Sequence, residues 1–519
     1  MAGSAMSSVR EPDRYHPPAL TGLVDLLDGP VRARPDARAL VAGAERAEVT
    51  YAALAALADT LAGRLTAAGL RPGDRVGLAA RNTVEFVVAL LGAARAGAVV
   101  APLDPALPPG ELAARLATAG ARVALYGEGP PADVPAWRVR VPGDPGAVVL
   151  DTAPAPLGPP RPAPPELGPD DALIMSTSGT TDRARLVPLT HANVAAAVRG
   201  LCTAYELGPR DATVAVMPLF HTHGLIAALL ATLAGGGCVL LPAGGRFAAG
   251  RFWDDMRAVR ASWFTAAPAI HEVLLDRSAD EHPEPLPSLR FARSSSAPLN
   301  TATQRALERT LGVPLLSAYG LTEASHQGSS ETLPPGKTSE HGSVGRPAGM
   351  LIRIADPAGR ECPPGLRGEV WMRGPAVARG YLDDPAATAR AFRGGWLRTG
   401  DLGHLDADGV LFLGGRIRNL IAHAGDQVSP EYVEDVLRGF PAVAEAAVFG
   451  VPDVGGGHRV GAAVVLCEGE EAEPAQIIEY CRDRLAAFAV PGRVEVVAAL
   501  PYTAKGVLDR QAVRLRFGR

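Results

Sequence analysis

The sequence predicts an α/β protein of more than one domain, on three observations. The chain has 519 residues, more than a single hydrophobic core serves. From Tyr51 on, amphipathic helical periodicity alternates with short apolar runs, the mark of a parallel sheet buried by crossover helices. From Gly342 the pattern turns to short β-rich segments with frequent Gly and Pro, and roughly the last hundred residues form an α+β pattern of small-domain size.

In chain order, Leu54, Leu57, Leu61 and Leu65 recur at helical spacing between Tyr51 and Leu70, with Gly69 placed as the C-cap. Arg75 to Leu78 reads as a strand, Glu85 to Ala96 as a helix and Ala98 to Leu103 as a strand. The apolar window from Phe86 to Leu103 is interrupted by Gly92, Arg95 and Gly97 and closes at Pro102. It therefore reads as a core helix entering a buried strand, not a membrane span. Between Thr152 and Pro169 stand eight prolines, an extended surface connection or a flexible linker. Next comes the strand Ala172 to Met175 and a loop rich in hydroxyls, Ser176-Thr177-Ser178-Gly179-Thr180-Thr181. Inward N–H and hydroxyl groups with a permissive Gly suit such a loop to wrap a phosphate.

The strand Thr213 to Met217 ends in Pro218-Leu219-Phe220-His221-Thr222-His223-Gly224. These two histidines suit either metal ligation or the lining of a pocket, and no third ligand stands at a recognisable spacing. Two polar loops, Arg293 to Leu299 and Ser317 to Glu323, follow short apolar runs, and ligands collect where such loops leave the carboxyl ends of an open α/β sheet. Gly368 to Arg373 is strand-like and suggests a small barrel or sandwich lobe. Trp396 to Asp401 and Gly415 to Asn419 follow.

Composition narrows the function classes. Hydrophobic residues make up 47% and charged residues 20% of a chain of net charge -4, which argues against a nucleic-acid partner. The five cysteines are scattered with no CxxC pair, as expected of reduced thiols in a cytoplasmic protein. The first twenty residues hold no apolar segment of signal-peptide length, and no membrane partner is expected. The only lysines are Lys337 and Lys505, a bias that suggests GC-rich coding DNA.

Taken in order, these motifs resemble the adenylate-forming superfamily that includes acyl-CoA synthetases, firefly luciferase and the adenylation domains of peptide synthetases. The resemblance implies a large N-terminal domain of doubly wound sheets with a small β lobe over 1–415, a hinge at 416–418 and a small mobile C-terminal domain over 419–519. It also implies a reaction in which a carboxylate attacks the α-phosphate of ATP and a thiol then displaces AMP. On that likeness Thr177 to Thr181 form the phosphate loop, Ser296, Ala297, Pro298, Tyr319, Gly320 and Leu321 line the adenine site, and Thr322 contacts the α-phosphate. Glu323 holds Mg²⁺. Asp401 accepts both ribose hydroxyls with Arg416 beside it, Arg418 stands at the hinge, Ala424 and Gly425 face the pantetheine channel, and His221 lies at the mouth of the acyl pocket. The segments Pro218 to Leu230 and Tyr319 to Gln327 look most like ligases for small or polar carboxylates, including oxalate–CoA ligases.

Two departures shape the expected activity. Where the family's phosphate loop continues Gly-x-Pro-Lys-Gly, this chain has Asp182-Arg183-Ala184-Arg185-Leu186, placing a negative charge where the β- and γ-phosphates lie. Where the family has its adenylating lysine, this chain has Val507, and Lys505 is the one nearby substitute. Both fall on the first half-reaction. The expectation is a non-adenylating acyl-CoA ligase that binds coenzyme A and a preformed acyl-AMP, with ATP and Mg²⁺ poorly seated and a separate adenylating ligase as partner. Such a division resembles the paired ligases of platensimycin-type diterpenoid antibiotic pathways. The alternatives are a complete ATP-dependent synthetase, transfer to a carrier-protein thiol, and a catalytically dead adenylate-binding regulator.

Overall fold

The computed structural model describes residues 20–127, 135–142, 147–151, 157, 167–177, 185–281, 286–334, 342–423, 426–453, 458–502 and 508–518. Ser178, Gly179, Thr180, Thr181, Asp182, Ala424, Gly425, Lys505 and Val507 lie outside the described residues, as does most of the proline-rich segment. The chain divides into two compact units. The first comprises 1–175, 189–264 and 286–289, and the second 176–188, 265–285 and 290–519.

In the first unit the strands of one sheet run in the order Val149–Asp151, Ala136–Arg140, Val123–Tyr126, Arg75–Ala79, Val99–Pro102 and Asp171–Ser176. The central pairs are parallel, as expected of strands joined by helices. Tyr51–Ala67 is a helix because Thr50 caps it, accepting the Ala53 N–H at 3.2 Å, and because Leu54, Leu57, Leu61 and Leu65 bury one face. The expected Gly69 cap falls just past the helix end, at φ +96°. Val84–Arg95 is a buried helix leading to the strand Val99–Pro102, and no described helix is long and apolar enough to cross a membrane.

A second sheet of this unit has the order Ala212–Val214, Cys238–Leu241, Arg38–Ala42 and Ala47–Thr50. The strand expected to reach Met217 stops at Val214, and an asparagine takes over its hydrogen bonding. Asn82 Nδ2 donates to the carbonyls of Ala215 and Met217 at 2.9 Å each, and Asn82 Oδ1 accepts the Leu219 N–H at 2.9 Å. His223 then opens a π-helix that runs to Leu230.

In the second unit the strands Phe291–Ser294, Leu315–Tyr319, Ser329–Ser330 and Arg346–Pro347 lie side by side in that order. The β-rich stretch after Gly342 is one antiparallel sheet of five strands, Leu351–Ala355, Gly368–Arg373, Trp396–Leu405, Phe392–Arg393 and Leu411–Arg416, where a small barrel or sandwich was expected. The helix Pro385–Ala391 packs against two of its strands, covering sheet that a sandwich would cover with a second sheet. The C-terminal part is α+β as expected. Val443–Pro452, His458–Leu466 and Arg493–Val496 form a sheet, with the helices Pro430–Arg438, Pro474–Arg482 and Arg510–Phe517. Val433, Leu437, Val448, Ala462, Val464, Ile477 and Cys481 form part of its core.

Three of the five cysteines, Cys202, Cys238 and Cys481, are buried. Burial pushes their thiols up, to about 12 for Cys202 and about 11 for the other two.

Candidate active site

The second unit gathers most of the described sequence-expected residues at the carboxyl end of the strand Leu315–Tyr319. Tyr319 ends that strand, and Thr322 and Glu323 form the short 3-10 turn that follows. Gly320 joins them where no side chain fits, since a Cβ there would meet the His326 carbonyl oxygen at 1.3 Å.

Asp401 approaches from the antiparallel sheet. It is 5% exposed and stands opposite Arg416 in the register of Trp396–Leu405 against Leu411–Arg416. Tyr319 donates its phenol to Asp401 Oδ2 at 2.5 Å, and Arg416 Nε pairs with Oδ1 at 3.0 Å. Each carboxylate oxygen keeps a lone pair for a second donor, so the group accepts two neighbouring hydroxyls, the demand of a ribose diol. Burial pushes the Asp401 carboxyl above its ordinary range, against the pull of the Arg416 cation and the Tyr319 hydrogen bond. Burial, and the Asp401 charge after it, likewise hold the Tyr319 phenol well above its usual range. Arg418 lies just beyond, in the 3-10 turn Ile417–Asn419, and burial followed by the Arg416 charge lowers it.

Glu323 accepts the Tyr381 phenol on Oε1 at 2.7 Å and has no hydrogen-bond or ion-pair partner for Oε2 among the described residues. A half-buried carboxylate with one open oxygen suits a hard divalent cation, whose other ligands come from phosphate and water. Residue by residue, Mg²⁺ therefore fits at Glu323. No cluster of three or more metal-ligating side chains occurs among the described residues, the pair His221 and His223 included. The ends of the expected phosphate loop are tied together: Thr177 N–H donates to the Arg185 carbonyl at 2.9 Å, and Arg185 N–H to Thr177 Oγ1 at 3.0 Å. The Arg185 guanidinium, at the end of the departed motif, lies over the Tyr381 ring at 5.1 Å and 3.7 Å from Asp384.

Ser296, Ala297 and Pro298 form an exposed loop after the strand Phe291–Ser294, and Ser296 holds the left-handed φ of +79°. A serine in that region is uncommon and costs about 1 kcal/mol or more, the kind of local strain found at ligand sites. His221 lies in the first unit, its ring 4.5 Å from that of Phe220.

Sequence reasoning missed three groups. Tyr381 reaches Glu323 across 58 residues of sequence, and a lone tyrosine after a glycine carries no signal of that pairing. Arg293 is fully buried and donates to Thr265 at 2.9 Å and Gln327 at 2.9 Å, and lies 3.1 Å from His326 Nε2. Burial, and then the Arg293 charge, push His326 well below its ordinary range. Arg510 anchors the base of the segment that ends in Val507, forking onto Glu434 with two bonds of 2.8 Å and pairing with Glu431 at 3.2 Å.

The chain is similar to known proteins over most of its length. The model of the AMP-binding enzyme family matches residues 27–382, and that of the AMP-binding enzyme C-terminal domain matches 432–506. The chain is 41% identical to an oxalate–CoA ligase of Arabidopsis thaliana, over 95% of this chain and 98% of that one. It is 34% identical to a sulfoacetate–CoA ligase of Cupriavidus necator, over 89% and 91%. Among solved structures it resembles ATP-bound MatB from Rhodopseudomonas palustris, with a TM-score of 0.82 and 29% identity over 96% of this chain and 99% of that one. It also resembles the anthranilate CoA ligase AuaEII in complex with anthranoyl-AMP, with a TM-score of 0.81 and 27% identity over 97% and 98%.

Proposed function

This chain belongs to the AMP-binding enzyme family, and from that membership we propose that it forms acyl-CoA thioesters through an enzyme-held acyl-adenylate. The carboxylate of a small, polar acid attacks the α-phosphorus of ATP and pyrophosphate leaves; the CoA thiol then adds to the acyl carbon and AMP departs. The observation that carries this reading is the Tyr319–Asp401–Arg416 cluster, a buried acceptor pair sized for the ribose diol of AMP. Thr322, on the same turn as Glu323, would donate to the α-phosphate. Mg²⁺ at Glu323 would offset charge on the phosphates. Relatives that act on oxalate and sulfoacetate support a short acid with a second polar group.

The likeness to ligases solved with ATP, or with ATP and magnesium, favours the complete ATP-dependent reaction, which is the leading reading. One specific observation favours a second. Val507 stands where the family has its adenylating lysine, and Asp182 adds a negative charge to the phosphate loop. On that reading adenylation is weak or lost and a separate ligase supplies the acyl-AMP, while the groups that hold acyl-AMP are present. The deciding experiment follows acyl-CoA by mass spectrometry, from short polar acids with ATP, Mg²⁺ and CoA, and from the matching acyl-adenylates with CoA alone. Comparable rates support the complete reaction. Product from the adenylates alone supports the divided one, and no product from either would sink both.

The raised Asp401 carboxyl also predicts a pH dependence. Accepting two hydroxyls requires the ionised form, so AMP affinity falls as pH drops through the Asp401 pKa. The fall begins above the value of about 4 of an exposed carboxylate. Isothermal titration of AMP across pH checks this, and Asp401→Asn flattens the profile.

A further inference from the structure

We infer that Glu369 is a positioning residue for nucleotide recognition, acting by locking the backbone distortion that aims Asp401. This rests on the reading of Asp401 as the acceptor of the ribose hydroxyls. Strands Gly368–Arg373 and Trp396–Leu405 pair regularly on either side of an irregularity. Glu369 faces Leu402 and Trp371 faces Arg398, so the single residue Val370 opposes Thr399, Gly400 and Asp401. Such a bulge bends a strand, leaves ladder groups without partners and re-aims a side chain. Gly400 takes up the distortion at φ +72°.

Three backbone groups at the bulge, the Gly400 and Asp401 N–H and the Val370 carbonyl, have side-chain partners. Glu369 Oε1 accepts the Gly400 N–H at 3.1 Å. Glu369 Oε2 accepts Trp371 Nε1 and Arg398 Nε, both at 2.9 Å. Thr399 Oγ1 donates to the Val370 carbonyl at 2.7 Å and accepts the Asp401 N–H at 3.1 Å. One carboxylate, its side chain 11% exposed, thus ties the residue before Asp401 to both flanking strands. The platform beneath it is stiff. The Arg398 guanidinium lies 5.5 Å from the Trp371 ring centre, and that of Arg353 lies between Trp371 and Trp396 at 4.6 and 4.4 Å.

A ligand-side cycle separates aiming from mere stability. AMP and its 2′,3′-dideoxy analogue are titrated calorimetrically into the wild-type protein, Glu369→Ala and Glu369→Gln, with thermal melts run alongside. Gln keeps the volume and one acceptor oxygen, so it decides the matter if Ala does not fold. The wild type should prefer AMP by roughly a hundredfold, as two hydrogen bonds to a charged group imply. The preference should shrink about tenfold or more in the folded Glu369 variant, because the analogue lacks the groups that a misaimed Asp401 fails to meet. A folded variant that keeps the full preference overturns the inference and leaves the ribose reading standing. A wild type that does not distinguish the two nucleotides overturns both.

Discussion

Asp401→Ala lowers AMP affinity by a factor on the order of a hundred to a thousand and lowers thioester formation from acyl-AMP at sub-saturating substrate to match. Two hydrogen bonds from ribose to an ionised acceptor are lost, each worth about 1.5 to 3 kcal/mol. The loss is only weakly relieved from nearby, because Arg416 is a donor alone and the Tyr319 phenol oxygen offers a neutral acceptor in place of an ionised one. Removing the carboxylate also leaves the buried Tyr319 phenol short of its 2.5 Å partner and Arg416 without its counter-charge. Tyr319→Phe keeps Asp401 and should therefore weaken AMP much less. Calorimetry on both variants checks the order; an Asp401→Ala protein that binds AMP like the wild type would remove the central support for the proposed activity.

If adenylation is weak for want of the family lysine, Val507→Lys raises acyl-adenylate formation from acid and ATP by a factor on the order of a hundred or more, with little change in thioester formation from preformed acyl-AMP; if the complete reaction already runs, it changes little. One well-placed cationic donor to the developing charge contributes about that much. Tyr502 and Leu508 bridge as a β pair, and Asp509 N–H donates to the Pro501 carbonyl at 2.9 Å. Arg510 is fixed on Glu434 just beyond. The described residues on either side of 503–507 are thus anchored. Pyrophosphate release measures the first half-reaction alone. If the lysine has no effect until Asp182 to Leu186 are also returned to the family pattern, the phosphate loop is the dominant defect. If neither change has an effect, the assignment of Val507 to the lysine position is wrong.

Much of the site was legible because its residues sit in short motifs whose local geometry is nearly self-contained. Tyr319 and Glu323 lie within five residues of one another, and Asp401 and Arg416 fall on successive strands of a hairpin, so proximity in sequence becomes proximity in space. The helix Tyr51–Ala67 was legible for a similar reason, since a 3.6-residue leucine spacing and a threonine cap act locally. What stayed hidden depends on long-range register. The bulge that aims Asp401 arises from the pairing of two strands about thirty residues apart, and a lone Gly-Glu pair in a strand does not announce it. The same holds for the early end of the strand at Val214, which follows from one asparagine more than a hundred residues upstream. Arg293 read as the start of a polar ligand loop, and its burial stayed hidden because charge is a poor guide to burial when the partners come from other elements.

A mixed anhydride acylates any competent nucleophile, including those of the protein that carries it. Thiolates are the most dangerous, because the desired reaction is itself attack by sulfur. Burial of Cys202, Cys238 and Cys481 hides their sulfurs from bulk reagents and lifts their thiols to about 11 or 12, so almost none is ionised at neutral pH. With only two lysines in the chain, competing side-chain amines are scarce as well. On the proposed reaction these three thiols are poor rivals of the incoming one, which leaves the partly buried Cys362 and Cys467 as the sulfurs open to self-labelling.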